Sequence, residues 1–140
     1  MLKFGAIWAV ALLLASSPAL AEQTVDLPAA LNGDWQIVNT ENPKLDQGCD
    51  KMQRFAVAPD GKSILLTEPW ANFSSTYQVI LVEKNRLLTV LEGEKRLTEQ
   101  GDPVLWWFYF EDNDHFRFRQ YDWAAENATT AQWVRCTTQP

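Results

Sequence analysis

From Gly33 onward the chain alternates short runs of β-branched, aromatic and leucine residues with clusters of Asn, Asp, Gly and Pro. That rhythm belongs to strands and turns, and a period of 3.6 is nowhere sustained. Eight strands are predicted, over Gly33–Thr40, Met52–Ala58, Ser63–Glu68, Ser74–Val82, Arg86–Leu91, Val104–Glu111, His115–Asp122 and Ala131–Cys136. Between the second and third stands Pro59-Asp60-Gly61-Lys62, where Pro presets φ and Gly accepts a positive one. Glu83-Lys84-Asn85 and Asp112-Asn113-Asp114 suit hairpin turns. The polar stretch from Glu92 to Asp102 reads as a loop, with room for a short strand around Lys95–Thr98. Helical turns are expected only at Pro28–Leu31 and Trp123–Asn127.

Eight sequential strands with short links predict an all-β fold, an eight-stranded antiparallel up-and-down β-barrel that leaves no exposed edge. A two-sheet β-sandwich is the alternative. Phe116 and Phe118 alternate with Arg117 and Arg119, the pattern of a half-buried strand. The run Leu105-Trp106-Trp107-Phe108-Tyr109-Phe110 is instead apolar on both faces. If Trp106, Phe108 and Phe110 look inward beside Phe116 and Phe118, then Trp107 and Tyr109 point outward as an exposed aromatic pair. Such a pair is expected to be a partner contact unless the Glu92–Asp102 loop covers it.

Residues 1–21 have the layout of a cleavable signal peptide. Lys3 gives a positive start, Phe4–Ala15 an apolar run too short to span a bilayer, and Ala19-Leu20-Ala21 a small-x-small cleavage pattern. No Cys follows that run, which argues against a lipid anchor. Removing these 21 residues from the 140 leaves 119, enough for a single barrel domain over residues 22–140. The leader holds one of the 12 basic residues and none of the 18 acidic ones, so the remainder carries a net −7. That charge argues against nucleic acid and anionic membrane as partners. A secreted location is expected, and the Ala-rich leader points to the bacterial periplasm. There the two sequons, Asn72-Phe73-Ser74 and Asn127-Ala128-Thr129, are accidental. The two cysteines, Cys49 and Cys136, are expected to form an intramolecular disulfide in that oxidising compartment.

Leu31-Asn32-Gly33-Asp34-Trp35 opens the first strand with Gly-x-Trp, and Trp133-Val134-Arg135-Cys136 puts an arginine on the last. This resembles the lipocalins and their wider barrel superfamily, the calycins. The resemblance implies that Trp35 plugs the closed end of a barrel and that Arg135 lies across its indole, with Gly33 as part of the same structural motif. The family's second motif, Thr-Asp-Tyr, is replaced by Asp112-Asn113-Asp114-His115. The short Leu-x-Gly-x-Trp barrel is also similar in part to the bacterial secreted metalloprotease inhibitors.

Catalytic chemistry finds little support in the sequence. His115 is the only histidine and sits in a turn among acids, Ser74-Ser75 lacks the Gly-x-Ser-x-Gly elbow, and no cofactor motif is present. Acid pairs such as Asp112/Asp114 or Glu92/Glu94 are expected to be solvated rather than to hold a metal. Of the six tryptophans after the leader, Trp35 and Trp133 read as barrel-closing. Trp70 and Trp123 lie in loops where ligand or partner contact is as plausible as a structural role.

A non-enzymatic binding protein without cofactor is therefore expected, its small apolar ligand held by Trp106, Phe108, Phe116 and Phe118 inside a hollow barrel. The alternative is an inhibitor of a secreted or periplasmic hydrolase, working through a rim loop or an N-terminal arm over Glu22–Leu27. The interior and that arm discriminate the two. The sequence leaves the ligand, the target and the oligomeric state open.

Overall fold

A computed structural model of the chain describes residues 24–39, 41–123 and 131–137. The expected leader, Trp123–Asn127 beyond its first residue, and the Asn127 sequon lie outside the described residues.

The eight strands are β1 (Gly33–Asn39), β2 (Gln53–Val57), β3 (Ser63–Glu68), β4 (Phe73–Val82), β5 (Arg86–Leu91), β6 (Trp106–Asp112), β7 (His115–Gln120) and β8 (Ala131–Arg135). Each is antiparallel to the next, and β8 returns to β1 to close a barrel in up-and-down order. The closing seam runs from Trp35 opposite Arg135 to Asn39 opposite Ala131. Closure satisfies the backbone of both terminal strands, so no sandwich forms.

The predicted strands fall where expected, with shifts at their ends. The sixth starts at Trp106 rather than Val104, because Leu97 bridges Pro103 and the Arg96 carbonyl accepts from the Val104 amide (3.3 Å). The possible strand at Lys95–Thr98 is reduced to that bridge, inside a folded loop with left-handed turns at Gly93 and Gly101. The seventh ends at Gln120, and the last at Arg135. The helical turn at the N-terminus is a single 3-10 turn, Ala29–Leu31.

Inward positions follow strand parity. Trp35, Phe55, Ile64, Leu66, Tyr77, Leu87, Phe108, Phe110 and Phe116 make one buried cluster. Aromatic edges meet faces within it: Trp35 and Phe116 have centroids 4.7 Å apart, and Phe55 and Phe108 5.9 Å apart, at near-perpendicular angles. Two bulges interrupt the ladder. One, between Val79 and Leu81, is followed by the exposed Leu81 and Val82; the other, between Phe110 and Asp112, brings Asp112 opposite His115.

The disulfide joins Cys49 to Cys136 as expected. The segment leading to Cys49 runs back along β1, with Gln47 exchanging both backbone hydrogen bonds with Ile37 (3.0 and 2.8 Å). Cys136 continues β8, its amide donating to the Asp34 carbonyl (2.8 Å). The bond therefore crosses β1 and ties together the segments on its two sides. No helix among the described residues is long and apolar enough to cross a membrane.

Candidate functional site

The two ends of the barrel have opposite characters. At one end Trp35 is fully buried, and its indole N–H donates to the Leu31 carbonyl (2.9 Å), which fastens the N-terminal turn over the barrel. Arg135 lies on the indole with its guanidinium carbon 4.2 Å from the ring centroid. Its nitrogens donate to the carbonyls of Ala30 (2.6 Å), Asn32 (2.8 Å) and Asn113 (2.7 Å) and to the Asp114 carboxylate (2.9 Å). Gly33 explains its own place in the motif. Its φ of 127° disfavours a side chain, and a Cβ there would stand 2.8 Å from Arg135 Nη1. With its face, its carbonyl partners and its carboxylate all engaged, Arg135 is a clamp that closes this end.

The opposite end is hollow. A cavity of about 250 Å³ opens between β2, β3, β4, β5, β6, β7 and β8. Phe108, Phe116 and Phe118 line it as the sequence suggested, together with Phe55, Tyr77 and Trp133. Trp106 does not line it. That indole stacks on Phe118 at 4.8 Å, meets Trp123 edge-on at 6.1 Å, and is capped by Arg96 at 5.4 Å, so it backs the cavity wall instead of forming it. Trp133, read from sequence as barrel-closing, turns one face to the cavity while its other neighbour is the Phe116 ring, stacked at 5.5 Å.

The polar part of the lining was not anticipated. Gln53 and Glu68 are the inward residues at the mouth ends of β2 and β3, in phase with Phe55 and with Leu66. The Trp133 indole N–H donates to Gln53 Oε1 (2.6 Å), and Gln53 Nε2 donates to Glu68 Oε1 (2.5 Å). Ser75 and Tyr77 follow on β4. Burial pushes the Tyr77 hydroxyl above its ordinary pKa, against a smaller opposing pull from Ser75, so it stays neutral. The signal available in the sequence was strand parity alone: a polar residue two positions along a strand from a core residue looks inward.

Beside the mouth, Glu94 is held by Arg96 through two side-chain bonds (2.8 and 2.6 Å), and its side chain is 4 % exposed. The Arg96 guanidinium, then that residue's backbone N–H and the facing Trp106 indole, outweigh burial and bring the Glu94 pKa from 4.5 down to about 2. Trp70 and Phe73 stand exposed on the rim, with Lys51 Nζ 5.9 Å from the Trp70 ring.

The outward aromatic pair differs from expectation. Trp107 does lie on the outer face, but it is only 6 % exposed. Arg86 covers it at 4.3 Å and Tyr109 at 5.8 Å, while Tyr121 stacks on Trp107 at 6.4 Å. The cause is register: Arg86 on β5 stands opposite Tyr109 and diagonal to Trp107. The cover comes from Arg86 on β5 and from Tyr121, just past the end of β7.

Asp112 and His115 pair at 2.8 Å through Nδ1. Burial opposes the charge on Asp112, but the bonds it accepts from His115 and the Asp114 amide win, leaving its pKa lowered. Asp114, in turn, binds Arg135. Both acids of that turn thus serve structural partners. Comparison with protein-family models, curated proteins and solved structures finds no significant match, so the closed antiparallel barrel itself is the extent of the likeness.

Proposed function

We propose that the protein is an exported, non-enzymatic binding protein of lipocalin-like design that holds a small, largely apolar ligand in the open end of its barrel. The observation that carries this reading is the aromatic cavity of about 250 Å³ opposite a plugged end. At the roughly 30 Å³ that one water occupies in the liquid, that volume suits a ligand of about eight to ten non-hydrogen atoms. The Gly33–Trp35–Arg135 arrangement supports the lipocalin-like assignment, since its geometry is the one the family motif implies. The disulfide and the signal-like leader support export, most naturally to a periplasm.

The inhibitor alternative loses its simplest mechanism. Val25 and Leu27 pack against the barrel core, and the Ala30 amide donates to the Asp26 carbonyl (2.7 Å), so residues 25–27 lie on the barrel and do not reach away from it. A hydrolase partner is not proposed.

A cavity-filling variant tests the reading. Ser75→Phe places a ring in the lining from β4 without touching the Arg135 clamp. It is expected to keep the fold while abolishing uptake of a small apolar fluorescent probe by the wild-type cavity. Equal uptake by both proteins would refute binding in the barrel.

A further inference from the structure

We infer that the cavity is built for an organic ammonium, an alkyl or aryl amine in its protonated form, and not for a fatty acid or another anion. The inference rests on the binding function proposed above and concerns the chemistry of the ligand's head.

Three features of the lining converge on it. First, its one charged side chain among the described residues is the Glu68 carboxylate, and no Lys, Arg or His takes part. An anionic ligand would bring a second negative charge beside Glu68 with no cation to offset either. The neighbouring guanidinium, Arg96, is committed to Glu94 by two side-chain bonds and to the Trp106 face. Lys51, on the rim, stands over Trp70 outside the lining.

Second, Glu68 is held in place. Gln53 receives the Trp133 indole N–H on its oxygen and so must present its amide nitrogen to Glu68 Oε1. This relay fixes the Gln53 rotamer and leaves Glu68 Oε2 free of that bond. Ser75 and Tyr77 add hydroxyl oxygens that can accept from a donor-rich head. Gln53, Glu68, Ser75 and Tyr77 all carry oxygens that can accept a hydrogen bond, while the one donor-only group, the Trp133 indole N–H, is spent on Gln53; acceptors are what an ammonium with its several N–H groups requires.

Third, the rest of the lining is aromatic. Ring faces are negative in their quadrupole, so Tyr77, Phe73 and Trp133 attract a cation as well as cover an apolar body. A carboxylate at the mouth over an aromatic chamber is thus complementary to a short apolar amine in both charge and shape.

Calorimetric titration of the full domain with three probes of similar size tests the inference: 2-phenylethylammonium, 2-phenylethanol and phenylacetate. The ammonium is expected to bind about tenfold more tightly than the alcohol, and the carboxylate more weakly than either. Glu68→Gln keeps an acceptor for Gln53, and should weaken the ammonium about tenfold while leaving the alcohol within about twofold. Alcohol or carboxylate binding as tight as that of the ammonium, or an ammonium affinity indifferent to Glu68→Gln, would overturn the ligand class while leaving the cavity's function standing. Failure of all three probes to bind folded protein would overturn both.

Discussion

Replacing Arg135 with alanine is expected to be among the most damaging single changes on the barrel surface, because five interactions disappear together. The guanidinium sits 4.2 Å from the Trp35 ring, a desolvated cation–π contact worth about 1–2 kcal/mol. It also satisfies the part-buried carbonyls of Ala30 and Asn113, at about 1 kcal/mol net each, whereas the Asn32 carbonyl and Asp114 are exposed enough for water to replace it. The sum is about 3 kcal/mol, less than the gross bond count suggests because the side chain remains 26 % exposed. Arg135→Lys restores charge but not the fork that reaches three carbonyls, and should recover less than about half of the loss. Urea denaturation followed by tryptophan fluorescence measures both variants, with an unchanged slope as the control for two-state behaviour. Gly33→Ala supplies a coupled check. In the wild-type background its Cβ collides with Nη1 and its φ of 127° is strained, whereas after Arg135→Ala only the strain remains. The two substitutions together should therefore destabilise by less than the sum of each alone. A loss below about 1 kcal/mol for Arg135→Ala, or strict additivity with Gly33→Ala, would refute the clamp.

Two further outcomes follow from the surroundings of the cavity and the outer face. Glu94, lowered from 4.5 to about 2, binds fewer protons folded than unfolded, so its contribution is complete above pH 4.5 and disappears as pH falls toward 2; the stability gap between wild type and Glu94→Gln, on the order of 1–2 kcal/mol after allowing for the exposed Arg96, should close across that window in acid titrations, and a gap independent of pH would contradict the assignment. Trp107→Ser should unfold or destabilise the barrel by about 3 kcal/mol or more, because the ring is buried under Arg86 and Tyr121; a fully stable variant, measured by thermal melting, would mean that the cover is not packed.

The fold was largely legible because each strand carries its own turn signals and its own parity. Ser63–Glu68 and Arg86–Leu91 have the predicted limits to the residue, each bounded by Pro, Gly or Asn chemistry. Where a strand end depended on a partner, the reading slipped: Val104 belongs to a loop whose bridge is made by Leu97, seven residues earlier. The Trp35–Arg135 contact was reachable through the motif at the chain's two ends. The burial of Trp107 was not, since it depends on which β5 residue stands beside β6, and register between strands leaves no local trace. For the same reason the sequence did not single out Gln53 and Glu68 as a pair. Their partnership crosses from β2 to β3 and on to β8, a separation of 80 residues for the Gln53–Trp133 bond.

Trp35 and Trp133 make the physical distinction between the barrel's ends concrete. Both are inward tryptophans on strands that pair with each other, and both read from the sequence as barrel-closing. What separates them is the acceptor of the indole N–H. Trp35 donates to a backbone carbonyl in the turn that covers it, so ring, turn and Arg135 lock into one unit with no space beside them. Trp133 donates to a side chain, Gln53, which passes the constraint to a second side chain, Glu68, and leaves the ring face on open volume. A backbone acceptor is set by the fold, whereas a side-chain acceptor is set by residue choice. Substitutions at Gln53 and Glu68 can therefore retune what the cavity accepts without moving a strand, while the same liberty at the closed end would cost the barrel its plug.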